Sequence, residues 1–194
     1  ELIESFLNQV KAGDKLGILG CQVLDSGMPN APQILFQSLS KFTGRVKVTK
    51  SAPKKSQGFP IDCEAIAGAS FFVSVEFVKE VGLLDERFFL YFEELDWAYR
   101  ARELGYRVQV NPEITITHIQ GASTGNRVNN PNNAEYYLFE SRLLFYRKWF
   151  PSLSVIPVAF IFFKIIQSLL KGNFGHARIR YQFFRKIQSG KFDK

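Results

Sequence analysis

Val81-Gly-Leu-Leu-Asp-Glu-Arg-Phe-Phe-Leu-Tyr-Phe-Glu-Glu-Leu-Asp-Trp-Ala-Tyr-Arg100 is the stretch on which the reading of this chain turns. Its first half is aromatic and aperiodic. Its second half changes to helical spacing, with Leu95, Ala98, Tyr99 and Arg102 on one side of a helix predicted from Glu93 or Glu94 to Leu104 and stopped by Gly105. The helix begins with Glu93-Glu94-Leu95-Asp96, so three carboxylates lie where the backbone's partial positive charge favours them. Taken alone, acids in a first turn are ordinary capping, and Asp96 to Arg100 is an ordinary i,i+4 pair. The surroundings shift that balance. Phe88-Phe89-Leu90-Tyr91-Phe92 and Trp97 flank the acids with an apolar wall, which raises carboxylate pKa and suits a general base.

Upstream of this stretch, Ala65–Ser74 is an apolar run, and Ser74 can cap a short helix through Val81 that Gly82 ends. Residues 25–60 are rich in Ser, Pro, Gly and Lys, and Lys50–Gly58 has no periodicity, which predicts a long loop, mobile in character. Leu16–Leu24 is a continuous apolar run that suits a buried strand and puts a sheet edge near the start. Residues 1–12 read as a helix with Leu2, Ile3, Phe6, Leu7 and Val10 on one face. A domain rarely begins so abruptly, so the chain reads as a fragment.

Downstream, Tyr106–Val110 alternates as a strand, Asn111-Pro112 turns, and Ile114, Ile116 and His118 share one face of the next strand. Strand, helix and strand in this order make an α/β layer: a mixed sheet with flanking helices. A further helix from Ala134 to Trp149 closes at Pro151. The organisation expected is therefore residues 1–133 as an α/β part and 134–194 as a basic, amphipathic helical region.

With 194 residues, 46% hydrophobic and 15% aromatic, the chain can bury a substantial core and is not a disordered protein. Its net charge of +7 suggests nucleic acid until it is divided along the chain. Residues 1–140 hold 14 Lys+Arg against 17 Asp+Glu, whereas residues 141–194 hold 11 against 1, so the basicity belongs to the tail. Cys21 and Cys63 lie far apart and outside any C-x-x-C pattern, which predicts two buried reduced thiols of a cytosolic protein rather than a zinc site or a disulfide.

Several ordered pieces carry a resemblance. Gly68-Ala-Ser70, the Val81–Arg100 stretch, Gly105-Tyr106, Pro112 and His118-Ile-Gln-Gly-Ala-Ser123 resemble the second half of the inverting family-2 glycosyltransferases of GT-A type, rhamnosyltransferases among them, over about half of the chain. The resemblance implies a partial GT-A fold and transfer of a sugar from a nucleotide-sugar donor to a glycan or lipid-linked acceptor in cell-surface polysaccharide synthesis. It places the catalytic base on Glu94, where the family usually carries Asp, with Glu93 as the substitute. It makes Gly68, Ala69, Ser70, Asp96, Trp97 and Arg100, on its acceptor-side segment, the substrate-binding candidates. Asp96 and Arg100 read rather as helix braces, and Trp97 as either a stacking platform or core. His118 falls where the family can complete the site of a divalent cation, Mg2+ or Mn2+, held mainly by a D-x-D motif. Gly121–Asn126 would be a lid. Asp62-Cys63-Glu64 is a decoy for that motif and reads as a strand-edge pair. By the same comparison the true D-x-D and the donor-binding strands are expected upstream of Glu1, so that this chain alone binds donor poorly.

Residues 152–170 hold one charge, Lys164, among long apolar side chains, which approaches the length of a spanning helix. Pro157, Lys164 and the basic flank behind them favour a helix lying in the interface of an anionic membrane, and so a cytoplasmic protein peripheral on the inner face of the cell membrane. The competing reading is a non-catalytic polyanion-, membrane- or nucleic-acid-binding module. In it Arg178, Arg180, Arg185 and Lys186 interleave with Tyr181, Phe183 and Phe184. The adjacent apolar stretch argues for lipid and against nucleic acid.

Overall fold

The computed structural model describes residues 3–4, 7–8, 15–28, 31–53, 59–119 and 131–188, with backbone alone at 131–133 and 188. The chain is mixed α/β and divides into two compact units. Unit 1 comprises Glu1–Ser40, Arg45–Glu86 and Glu93–Ala122; unit 2 comprises Lys41–Gly44, Arg87–Phe92 and Ser123–Lys194.

Unit 1 is built on β1 (Leu16–Asp25), whose first eight residues are buried. β1 runs parallel to β8 (Arg107–His118) and antiparallel to β2 (Pro32–Ile34) and β7 (Phe71–Val73), while β5 (Ile61–Asp62) adds antiparallel to the far side of β8. The apolar run at 16–24 is therefore an interior strand and not the sheet edge expected from its early position. Continuous apolarity is what a strand covered on both faces requires. Gly17 belongs to the same logic, because a Cβ there would stand 2.7 Å from the Phe77 ring.

A second sheet orders β4 (Arg45–Thr49), β3 (Phe36–Ser40) and β6 (Ala65–Ile66), all antiparallel. The long loop expected over 25–60 is thus largely wrong. Phe36-Gln-Ser-Leu-Ser40 and Arg45-Val-Lys-Val-Thr49 pair as a hairpin through a turn whose Gly44 takes φ 66. Its Ser and Lys content hid a period of two. Residues 54–58 of that expectation lie outside the described residues.

The predicted short helix is present as α1 (Val75–Val81). Ser74 Oγ accepts from the Phe77 amide, and Gly82 follows at φ 84. α2 (Glu93–Glu103) begins at the acidic cluster, and Gly105 stands beyond its end at φ 78. Phe77 sits at the centre of the core of unit 1, edge-on to Trp97 and Tyr106, both at 5.2 Å between ring centres.

The turn expected at Asn111-Pro112 is also corrected. β8 runs unbroken from Arg107 to His118, but its register on β1 jumps from Cys21↔Asn111 to Gln22↔Thr115. Residues 112–114 bulge out where Pro112 cannot donate to the ladder, and Asn111 Oδ1 takes up the Glu113 amide at 3.0 Å. Beyond the bulge, exposure alternates as expected, with Ile114, Ile116 and His118 on the half-buried side. Of the helix expected over 1–12, the four described residues are helical, and Ile3 and Leu7 are exposed; the rest of it lies outside the described residues.

Unit 2 is helical. α3 (Pro131–Trp149), α4 (Val155–Leu170) and α5 (Phe174–Gln188) pack through Phe139, Leu143, Ile161, Ile165, Phe183 and Ile187. Pro151 opens a short 3-10 turn between α3 and α4. The boundary expected at 133/134 falls beside the start of α3 at Pro131, and unit 2 also takes in two short segments from the first part of the chain. Within unit 2, Tyr146 Oη donates to the Lys41 carbonyl at 2.6 Å, and Ser141 Oγ donates to the Leu90 carbonyl at 2.7 Å. The Arg142 guanidinium is buried against the rings of Phe92, Phe139 and Phe160.

Candidate functional site

The start of α2 is prepared by an unusual backbone. Tyr91 and Phe92, consecutive and neither of them glycine, both take φ 68 immediately before Glu93. Left-handed conformations at such residues cost about 1–2 kcal/mol each and persist only where the surroundings enforce them, most often near functional groups. The next two residues are the carboxylate dyad.

Glu93 and Glu94 are half-buried, and each has one oxygen, Oε2, shut off from solvent with no hydrogen-bond partner. An ionised carboxylate so placed has lost hydration without replacement. Burial therefore pushes both acids up, and for Glu94, where the neighbouring Glu93 charge adds to burial, the value reaches about 8. Two contacts oppose the rise and favour the charged form: a backbone hydrogen bond of Glu94 itself and, after it, Gln37 Nε2 of β3, which donates to Glu94 Oε1 at 3.1 Å. Gly68 stands over the pair, since a Cβ there would lie 3.9 Å from Glu93 Oε1 and 4.0 Å from the Glu94 carboxyl carbon. Exposed Gly68 and Ala69 leave the approach free of side-chain bulk beyond a methyl group.

The other residues singled out in the sequence are committed elsewhere. Asp96 is fully buried and receives Arg100 Nε at 2.9 Å. Arg100 also donates to the carbonyls of Val81 and Leu83, at 2.6 and 2.7 Å, tying α2 to the end of α1. This is the bracing arrangement. Trp97 is 4% exposed, with its indole N–H on the Gly82 carbonyl at 2.9 Å and its ring against Phe71 and Phe77. Of its two readings, the core one describes its position. Ser70 is buried and shares a 2.8 Å hydrogen bond with Cys21 Sγ. The unit thus brings Gly68, Glu93 and Glu94 together and turns Asp96, Trp97 and Ser70 inward.

Gln37 was missed by sequence reasoning because its strand was read as loop. The signal available was the alternation of Phe36, Ser38 and Ser40 with Gln37 and Leu39. Of the pair Asp62 and Glu64, expected on a strand edge, Asp62 lies on β5 and Glu64 in the bend before β6. Asp62 accepts from Gln109 at 2.9 Å on edge strand β5, while Glu64 accepts from the Leu39 amide at 3.0 Å and the Tyr99 hydroxyl at 2.7 Å. The thiols are free, and burial raises both, Cys63 to about 12, so each stays protonated and unreactive at neutral pH.

His118 ends β8 half-buried, in register with Asp25 of β1. Among the described residues no three His, Cys, Asp or Glu side chains converge as a metal site. His118 could supply at most one ligand to a cation held by other groups, and the described residues do not fit a cation of their own. The lid expected at Gly121–Asn126 lies outside the described residues. No protein-family model matches the chain, and no characterised protein matches it in sequence.

Proposed function

We propose that unit 1 is the acceptor-side part of an inverting glycosyltransferase of GT-A type, with Glu94 as the base that deprotonates the acceptor hydroxyl. One observation carries the reading: a carboxyl beside a second carboxyl, held at a helix start with an oxygen that no protein group satisfies. Burial of this kind is how proteins raise a carboxylate's proton affinity toward that needed for general-base work near neutral pH. The order of pieces from Gly68 to His118, which resembles family-2 glycosyltransferases, supplies the reaction class.

The chemistry follows from what the dyad can do. The ionised Glu94 carboxylate takes the proton of an acceptor hydroxyl lying within about 3 Å. The oxygen attacks the anomeric carbon of a nucleotide-activated sugar from the face opposite the leaving nucleoside diphosphate, and the configuration inverts. Glu93 stays close enough to keep Glu94 a strong base, and Gln37 orients the carboxyl through Oε1. A divalent cation on the donor diphosphate would neutralise the leaving group. On this reading it is held mainly by a D-x-D motif, which these 194 residues do not contain.

The test is Glu94→Gln in the protein that carries this chain, assayed with nucleotide sugar and acceptor. Transfer should fall by two to four orders of magnitude while donor binding, read by calorimetry, stays within about twofold. Near-normal turnover removes Glu94 from the base role. Equal loss of donor binding makes the dyad part of the donor site instead.

A further inference from the structure

We propose that α4 and α5 form a hairpin that seats unit 2 on an anionic bilayer: α4 lies in the plane of the interface, and the turn between the helices takes a lipid phosphate headgroup. The inference concerns residues of unit 2 alone and stands apart from the reaction assigned to unit 1.

α4 has no polar face. Pro157, Ile161, Ile165 and Ser168 turn inward, and the side opposite presents Val155, Phe162, Phe163, Ile166, Leu169 and Leu170, all exposed. The spacing 155, 162, 166, 169 makes one continuous stripe along the helix. An apolar stripe of this length on a surface needs an occupant, and the adjoining charge says which. Residues 151–188 contain six Lys and Arg and no Asp or Glu. On α5 the exposed positions Phe174, Arg178, Tyr181 and Arg185 fall on one face, so aromatic rings alternate with guanidinium groups. Interleaved aromatic and cationic side chains beside an apolar stripe match the acyl-to-headgroup boundary of a membrane carrying negative lipids.

The turn supplies a more specific contact. Where Leu169 and Leu170 end the stripe, a cavity of about 230 Å³ opens between the helices, lined by Gln167, Ser168, Lys171, Asn173, His176 and Arg180. Its lining is polar, with the Lys171 ammonium as the cation for a phosphate, since Arg180 at its wall is held by Glu135, Ser168 and the Lys164 carbonyl. The first turn of α5 adds its own partial positive charge at this place.

Lying flat is favoured over crossing by what the inner face of α4 is packed on. Arg180 pairs with Glu135 at 2.6 Å and reaches the Lys164 carbonyl at 3.1 Å. A spanning α4 would carry that ion pair and Lys164 into hydrocarbon, at a cost of several kcal/mol. Length does not separate the two, because Pro151–Leu170, the 3-10 turn included, is 20 residues and apolar enough to cross a membrane; the buried charges do.

The experiment is flotation of the purified chain with phosphatidylcholine vesicles, alone and with phosphatidylglycerol admixed. Binding should require the anionic lipid and weaken as salt rises. The triple substitution Lys171→Ala, Arg178→Ala, Arg185→Ala should weaken it about fivefold per charge, so roughly a hundredfold together. Because a loss could reflect misfolding, Phe162→Trp provides a gain: the added indole emission should shift to the blue on addition of anionic vesicles and not of neutral ones. Equal binding to both vesicle types overturns the charge argument. An unshifted emission from the Phe162→Trp variant overturns the seating of the stripe. Concentration-dependent dimerisation that buries the indole without lipid, or salt-sensitive binding to nucleic acid that vesicles fail to displace, assigns the face to another occupant and overturns the proposal.

Discussion

The first turn of one helix treats buried acid in two opposite ways. Glu93 and Glu94 keep an oxygen each without a hydrogen-bond partner, and their proton affinity rises. Two residues on from Glu94, Asp96, less exposed than either, meets Arg100, which is itself fixed on two carbonyls of the preceding segment. Burial is common to both, and satisfaction separates them. A carboxylate with its counter-charge in place is architecture, whereas one left short of partners stores free energy that a substrate proton can release.

The comparison can be broken most severely at its structural half. Asp96→Ala leaves Arg100 without its charge partner and should cost about 3 kcal/mol of stability in urea unfolding, at the lower end for a broken buried pair because two carbonyls still hold the guanidinium. A loss within about 0.5 kcal/mol would place Asp96 among ordinary surface ion pairs.

The dyad should respond with the reverse sign. A carboxyl whose folded-state pKa lies above its unfolded value stabilises the fold below the unfolded value, and that contribution is lost as pH rises through the folded one. Wild-type stability should therefore decline between about pH 4.5 and pH 8, the window set by the Glu94 shift. Glu94→Gln should flatten the decline and gain on wild type toward pH 9, as read from thermal midpoints across pH. Parallel curves for the two proteins would mean that Glu94 titrates as an ordinary exposed acid.

The smallest effect sharpens the comparison by removing the side-chain amide that donates to Glu94. Gln37→Leu deletes a hydrogen bond to the charged form, so the Glu94 pKa should rise further and the acid limb of the transfer-rate profile, where the base gains its proton, should move to higher pH. A midpoint that stays put or moves down would show that the contact does not act on the carboxylate.

The sequence made α1 and α2 legible because their signals are local: Ser74 and Gly82 bracket one helix, and Gly105 ends the other. It also marked Asp96 and Arg100 as a brace, since the two share a helix face by spacing alone. What it hid was non-local. The β3–β4 hairpin reads as loop by composition, and its identity depends on Phe36 finding Ile66 across the chain. The unbroken β8 reads as two strands, because a bulge at Pro112 looks like a turn until β1 is laid alongside. Gln37 was lost with its strand, and no pattern in the chain announces that a side chain at 37 will reach position 94. The inward turn of Trp97 was equally unreadable, since an aromatic residue on a helix serves core and stacking surface with the same spacing.

The central claim is that the Glu94 carboxyl binds its proton abnormally tightly, and side-chain carboxyl carbon NMR across pH tests it directly, with Glu94→Gln identifying the resonance. The account predicts a midpoint near pH 8, accompanied by a raised midpoint for Glu93. A Glu94 midpoint near about 4.3, the ordinary glutamate value, would contradict it.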